Sequence, residues 1–206
     1  MTFEPLEETL RKGVPELPQP DLGEAAARAG LLDVAYATLD TPVGALLLAS
    51  TRSGLVRIAY LDAAEEDQIV DDLAAKVSPR VLASPRQLDE ARRELDEYFT
   101  GARNRFELPL DWRLTGGFGR RVLAATARVP YGSVATYKQV ATEAGSPRGS
   151  RAAGNALGSN PLPIVVPCHR ILHSDGGLGG YTGGLERKRR LLEVEGVTNL
   201  TLRRPR

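Results

Sequence analysis

Apolar and polar positions recur with clear periods from Leu32 onward. Residues 34–39, 45–49 and 55–60 are short runs rich in aliphatic, β-branched and aromatic side chains, separated by Thr41-Pro42-Val43-Gly44 and Ser53-Gly54. Such runs between turn-forming residues predict a small antiparallel sheet. Two helical patterns follow, over 63–76 and 85–99. The second carries Leu88, Ala91, Leu95 and Tyr98 at helical spacing with acids and arginines between them, so both helices are expected to cover one face of the sheet. Residues 101–117 hold two segments bounded by proline or glycine and are expected to link two domains.

Beyond the linker the period is helical. An apolar stretch over 122–129 closes at Pro130 and Gly132. Thr136-Tyr137-Lys138-Gln139 then has capping-box spacing, in which the threonine hydroxyl and the glutamine side chain satisfy free amides at a helix start. A helix from Tyr137 to about Ala144 should end at Gly145. Ser146 could cap a second helix with Pro147 in its first position, running to about Leu157, which is helix-turn-helix spacing. This second helix is built from Gly149, Ser150, Ala152, Ala153, Gly154 and Ala156 around a lone Arg151. Helical glycine is destabilising by about 1 kcal/mol relative to alanine. Either close approach to a DNA groove or tight packing on a neighbouring helix would compensate, and the sequence leaves both open.

The glycine-rich run 176–184 lacks a Walker ending and a matching GxGxxG, so it is not read as a phosphate cradle. It reads as a loop lying against a flat ligand, with Tyr181 and Thr182 supplying polar groups, or as a plain mobile surface loop. Residues 1–32 carry Pro15, Pro18 and Pro20 in an acidic stretch, then an alanine-rich segment, 24–30, that could form a short helix; they are read as an extension without evident chemistry. The expected domains are therefore 33–112, with its linker, and 113–206.

Composition changes this picture in two ways. The chain of 206 residues is 42% hydrophobic and 26% charged, with no apolar run of membrane-spanning length and no secretory leader in Met1 to Glu8, so it is expected to be cytoplasmic and free of membranes. The net charge of +1 conceals a division: residues 1–112 hold 12 Lys and Arg against 21 Asp and Glu, a net of −9, whereas 113–206 hold 15 against 5, a net of +10. Only the second half is suited to a polyanion, although charge solvated on two unrelated surfaces would give the same count.

One cysteine excludes an internal disulfide, and with two histidines in the chain an ordinary Cys/His zinc site is excluded too. Cys168 must act as a single thiol. It stands in Ile164-Val165-Val166-Pro167-Cys168-His169-Arg170-Ile171, after what reads as a short apolar strand. A lone cysteine there is ordinarily a small buried hydrophobe. The adjacent His169 and Arg170 alter that reading, because a thiol needs a base or a positive field to become a good nucleophile. Side chains at i and i+1 of an extended segment diverge, so a bridging water is the expected proton route, with a carboxylate orienting the imidazole.

Pro167-Cys168-His169-Arg170, preceded by Gly158-Ser159-Asn160-Pro161 and followed by Tyr181-Thr182-Gly183-Gly184-Leu185, resembles the O6-alkylguanine-DNA alkyltransferase family from about Leu95 to Gly196. The resemblance implies an α/β fold: an N-terminal ribonuclease-H-like α/β domain and a C-terminal winged-helix-like helical domain that enters the DNA minor groove. It implies direct-reversal repair, in which Cys168 accepts an alkyl group from O6-alkylguanine once, irreversibly and without a cofactor. It makes His169 the base acting through water, Glu195 the carboxylate behind it and Asn160 the brace of the active-site turn. Tyr137 would push the target phosphate round and offer a proton to the departing base, and Arg151 would fill the stack left by the flipped base. Ser150, Ala152 and Gly154 would lie along the DNA. Tyr181 and Thr182 would hold the guanine, with backbone groups of Val166 and Cys168 reading its edge.

The expected partner is double-stranded DNA containing O6-alkylguanine, bound by a monomer, with cooperative binding of several copies left open. The chain departs from relatives at Ala124, where some have tryptophan, at Thr182 in place of a common serine, and in residues 1–32, and it lacks the cysteines of the zinc site some relatives carry. Three other functions compete: a non-repairing sensor of alkylated DNA, a Cys-His thiol hydrolase, and a regulator whose alkylation alters DNA affinity.

Overall fold

The computed structural model describes residues 22–197. The proline-bearing acidic stretch before Leu22 lies outside them. The alanine-rich segment forms α1 (Leu22–Arg28). Strands β1 (Val34–Leu39), β2 (Leu46–Thr51) and β3 (Gly54–Tyr60) follow, with β1 antiparallel to β2 and β2 antiparallel to β3. Next come α2 (Glu66–Lys76), β4 (Val81–Ala83), a 3-10 turn at Pro85–Leu88 and α3 (Asp89–Phe99).

Three features differ from the pattern expected. The sheet is mixed, in the order β3-β2-β1-β4, because the short β4 pairs parallel to β1; three residues are too few to show a period. The helices cover opposite faces. Leu46 and Leu48 join a cluster with Leu88, Leu95 and Tyr98, whereas Leu47 and Ala49 join Ile69 and Leu73 of α2. This explains why β2 reads as an unbroken apolar run: a strand buried on both faces has no polar side to display. Finally, α2 starts at Glu66 rather than at 63, after a turn in which Ala63 N–H donates to the Tyr60 carbonyl (3.2 Å).

Sheet edge β3 is covered rather than exposed. Leu55 N–H donates to the Pro109 carbonyl and Asp111 N–H to the Leu55 carbonyl, both at 2.8 Å, so the stretch expected as a linker lies along the strand. Gly54 makes this possible: at φ +126° and with the Pro109 oxygen 2.1 Å from where a Cβ would stand, no other residue fits. Farther along the same edge, Ile58 N–H donates to the carbonyl of Pro161 (2.8 Å), which ties the sheet to the loop carrying Cys168.

The second half contains α4 (Gly117–Thr126), α5 (Tyr137–Glu143), α6 (Ser150–Gly158) and α7 (Leu185–Val194), with the two-residue strands β5 (Ala135–Thr136) and β6 (Ile171–Leu172) paired in parallel. Thr136 and Gln139 form the capping box at α5. Helix α4 lies earlier in the chain than the apolar stretch suggested. The second motif helix begins at Ser150 with Gly149 as its N-cap, because residues 146–149 close a turn (Gly149 N–H to Ser146 carbonyl, 2.8 Å); Ser146 and Pro147 precede the helix rather than start it.

The largest apolar cluster joins Leu46, Ile58, Leu95 and Tyr98 from the first half with Val122, Leu123, Leu162, Ile164 and Leu191 from the second. The sheet edge and this shared core hold the loop before Cys168 in place. No helix among the described residues is long and apolar enough to cross a membrane.

Candidate active site

Residues 161–170 are all buried, yet Ile164 to Val166 do not form the strand their apolarity suggested. The chain coils instead. Val165 N–H reaches the Pro163 carbonyl (2.9 Å) around Ile164, which has φ +73°, a rare conformation for a β-branched residue. Cys168 N–H reaches the Val166 carbonyl (2.7 Å) around Pro167 (φ −79°, ψ 63°), an inverse γ-turn that the proline ring favours. Cys168–Arg170 then form one 3-10 turn leading into β6.

Asn160 braces this coil. Its Nδ2 donates to the Val166 carbonyl (2.9 Å) and to Cys168 Sγ (3.2 Å), and its Oδ1 accepts from Leu162 N–H (3.0 Å). Burial pushes the Cys168 thiol up, opposed by the Asn160 hydrogen bond, the nearby Lys188 charge and the amides of Cys168 and His169 at the head of the turn. Burial prevails, so the resting sulfur is a neutral thiol.

Behind the cysteine lies a buried ionic cluster. His169 Nε2 meets Glu195 Oε1 at 2.8 Å. Arg170 donates through Nε to Glu195 Oε2 (2.8 Å) and through a terminal nitrogen to Oε1 (2.9 Å), while its other nitrogen reaches the Val129 carbonyl (2.5 Å). Tyr98 Oη donates to Glu195 Oε1 (2.8 Å) and Gly132 N–H to Oε2 (3.3 Å). Burial alone would raise the Glu195 pKa; the hydrogen bonds and charges of His169 and Arg170 override it and hold the carboxyl at about 2. Burial, reinforced by the neighbouring Arg170 and Lys188 charges and opposed by Glu195, lowers the His169 pKa, which keeps the ring neutral. With Glu195 anionic, Nε2 carries the proton, and the opposite nitrogen, Nδ1, is a buried acceptor with no hydrogen-bond partner among the described residues.

The positive field expected from Arg170 is therefore committed to Glu195. The cation that acts on the sulfur is Lys188, whose Nζ donates to the carbonyls of Ile171 (2.6 Å), Leu178 and Gly180 (3.4 Å). Burial brings its pKa down to about 8. The sequence did carry this signal: Lys188, Leu191, Leu192 and Glu195 lie on one face of an amphipathic helix and its cap, where a lysine is out of place. Tyr98 was identified only as a core residue, and its hydroxyl role depends on the packing of the two halves.

A cavity of about 630 Å³ opens at the sulfur, lined by Cys168 together with Tyr137, Ser150, Arg151, Gly154, Tyr181 and Thr182 among others. It thus gathers most of the residues singled out from the sequence. Ala152 is exposed outside the lining, and Val166 is fully buried behind it with its carbonyl already accepting from Asn160 and Cys168, so that group has no lone pair left for a ligand. His169, Asn160 and Glu195 stand behind the wall. Thr182 Oγ1 donates to the Gly158 carbonyl (2.8 Å), pinning the glycine-rich loop to the end of α6. Gly179, at φ +65°, lets that loop pass against Tyr137, whose hydroxyl would lie 2.5 Å from a Cβ there. His173, not singled out beforehand, also lines the cavity, its ring 5.1 Å from that of Tyr137.

Arg151 makes no ion pair among the described residues and stands exposed at the rim. On α6, Ala153 and Leu157 turn inward to the core. Gly154 has room for a methyl group, 3.8 Å from the Tyr137 ring, so internal packing does not require its glycine.

Residues 34–112 match the family model described as "6-O-methylguanine DNA methyltransferase, ribonuclease-like domain", and residues 117–197 match the "DNA binding domain" of the same description. The chain is 36% identical over 160 residues to a methylated-DNA–protein-cysteine methyltransferase of Methanosarcina barkeri, covering 78% of this chain and 96% of the relative. Its identity to the protein of that name from Mycobacterium tuberculosis is 38%, over 78% and 91% of the two chains. The crystal structure of the M. tuberculosis O6-methylguanine methyltransferase superposes with a TM-score of 0.69 at 37% identity, over 79% of this chain and 92% of that one. A crystal structure of the M. tuberculosis protein in complex with DNA gives 0.68 at 36% identity, over 78% and 92%.

Proposed function

Because the chain belongs to the 6-O-methylguanine DNA methyltransferase family, we propose that it repairs alkylated DNA by direct reversal, moving the alkyl group of O6-alkylguanine onto its own Cys168. The observation that carries this reading is Cys168 at the floor of the cavity with the buried His169–Glu195 pair beside it.

The target base must leave the duplex to reach a thiol at the bottom of a pocket. Arg151 and the small residues Ser150 and Gly154 form the rim that meets the minor groove, with Arg151 taking the place of the displaced base. Tyr137 turns the phosphate. The guanine then enters between Tyr181 and Thr182, its edge facing the Cys168 backbone.

His169 Nδ1 takes the thiol proton through a water, and Glu195 stabilises the imidazolium so formed. Asn160 and Lys188 stabilise the sulfur anion as it develops. The thiolate attacks the alkyl carbon in line, the carbon–sulfur bond forms as the carbon–oxygen bond to O6 breaks, and the Tyr137 hydroxyl supplies a proton to the departing base. The product is a thioether, which no group in the site can cleave, so each molecule acts once.

Incubation with a duplex containing one O6-methylguanine, beside a Cys168→Ala control, tests this by intact and peptide mass. A stoichiometric gain of one methyl on Cys168, absent in the control, is the expected result. Tight binding of the lesion without a mass change would overturn repair in favour of a sensor, and neither binding nor transfer would favour unrelated thiol chemistry.

A further inference from the structure

The wall of the cavity is completed from the other half of the molecule. Tyr60, the last residue of β3, is 4% exposed, and its hydroxyl lies 2.8 Å from that of Tyr181, the rings meeting edge to face at 6.4 Å between centroids. Among the described residues no other group bonds the Tyr181 hydroxyl. The Arg187 guanidinium covers the Tyr60 ring at 4.5 Å from its centroid. It also ties the two halves together, donating to the carbonyls of Val43 (2.5 Å) and Gly183 (3.0 Å) and pairing with Asp62. Gly183 is pressed against both phenols: a Cβ there would stand 2.6 Å from the Tyr60 ring and 2.9 Å from that of Tyr181.

Tyr181 lines the cavity together with Cys168, while its hydroxyl meets that of the buried Tyr60. Burial pushes the Tyr60 pKa up to about 12 and that of Tyr181 well above the usual phenol range, and charge on Cys168 raises both further. Both phenols are therefore neutral. Tyr181 and Cys168 line the same cavity, so an alkyl group longer than methyl, held at Sγ, must be accommodated in space that Tyr181 helps to bound. Whatever fixes Tyr181 fixes the space for that group.

We infer that Tyr60 is a positioning residue that sets the alkyl-size selectivity of the pocket, by holding the Tyr181 ring through their paired hydroxyls. This rests on the repair reading above. Tyr60→Phe keeps the ring and its packing but leaves the Tyr181 hydroxyl without its partner, so the Tyr181 ring must shift to recover one. Tyr60→Phe/Tyr181→Phe removes both hydroxyls and leaves nothing unpaired.

The test compares single-turnover rate constants for transfer to Cys168 from duplexes carrying O6-methylguanine or O6-benzylguanine, with melting temperatures recorded alongside. In Tyr60→Phe the benzyl-to-methyl ratio is expected to change about fivefold, and in the double variant to return to within about twofold of the unsubstituted protein. A merely structural role for Tyr60 predicts a lower melting temperature with both rates changed by one factor; that result, or an unchanged ratio, would overturn the inference while leaving repair intact. Absence of transfer by the unsubstituted protein from either duplex would overturn the repair reading and this inference together.

Discussion

Glu195 accepts hydrogen bonds from His169, Tyr98, Gly132 and, twice, from Arg170, which is why a carboxyl in this enclosure stays ionised with a pKa of about 2. Replacing it by glutamine removes the charge that stabilises an imidazolium and leaves the buried Arg170 without its counter-ion. The transfer rate of Glu195→Gln should fall about a hundredfold, and its stability should drop by about 3 kcal/mol, read from single-turnover kinetics and urea unfolding. The pH dependence has a definite sign. Glu195 titrates at about 2 folded against 4.5 as the ordinary value, so its contribution is complete above 4.5 and is lost as pH falls toward 2. The His169 pKa is also lowered in the fold, from 6.5, so its contribution is complete above 6.5 and begins to be lost below that. Unfolding free energies across an acid series should therefore decline from near neutrality and again below 4.5, and the second decline should be smaller in Glu195→Gln, where only paired surface carboxylates such as Asp33 and Glu97 still contribute to it. Asn160 acts on the sulfur itself. Burial already raises the Cys168 pKa and Asn160 opposes it, so Asn160→Ala should shift the pH profile of iodoacetamide alkylation upward and slow the reaction at neutral pH by about tenfold.

The hairpin strands and the capped helix α5 were legible in the sequence because their signals are local: turn residues between β2 and β3, and a Thr and Gln three apart at the start of α5. The placement of α2 and α3 on opposite faces was not, since a strand such as β2 with four consecutive buried residues gives no hint of which helix lies on which side. The apolar stretch before Cys168 misled for the same reason. An apolar run reports burial, and only tertiary contacts make it a coil with Ile164 at positive φ instead of a strand. The candidate site was legible where motifs name residues and was incomplete where packing supplies them, as with Lys188 and Tyr98. Helix α6 illustrates both cases. Its small residues left close approach to a DNA groove and tight helix packing equally open; among the described residues Arg151 has no ion pair at the cavity rim, and Gly154 has space around it. If this face meets the duplex as proposed, Arg151→Ala should weaken binding to lesion-containing DNA by about tenfold and reduce the slope of log affinity against log salt by up to about one, measured by fluorescence anisotropy. Cys168 alkylation by iodoacetamide should be unchanged in that variant, which separates loss of DNA contact from damage to the site.

The opposite charges of the two halves, −9 and +10 by residue count, invite a view of two independent bodies with one task each. The contacts argue otherwise. The β3 edge is bonded to Pro161 in the active-site loop, Tyr98 of α3 reaches Glu195, and the largest apolar cluster contains Leu95 and Tyr98 beside Val122, Ile164 and Leu191. A core shared in this way gives neither half a complete hydrophobic interior of its own, so unfolding one exposes the apolar face of the other. The whole chain should therefore unfold in one cooperative transition. Trp112, the sole tryptophan, sits in the 3-10 turn between the halves and packs on that shared cluster, which makes its fluorescence a reporter of the junction. Urea transitions followed by Trp112 fluorescence and by far-ultraviolet circular dichroism should coincide within error. Leu95→Ala, which leaves a void at the centre of the cluster, should move both transitions to lower urea by the same amount, corresponding to about 3 kcal/mol. If the fluorescence and dichroism transitions separated, or if the substitution shifted only one of them, the halves would be independent folding units, and the reach of Tyr98 into the catalytic cluster would have to be a docking contact between two stable domains.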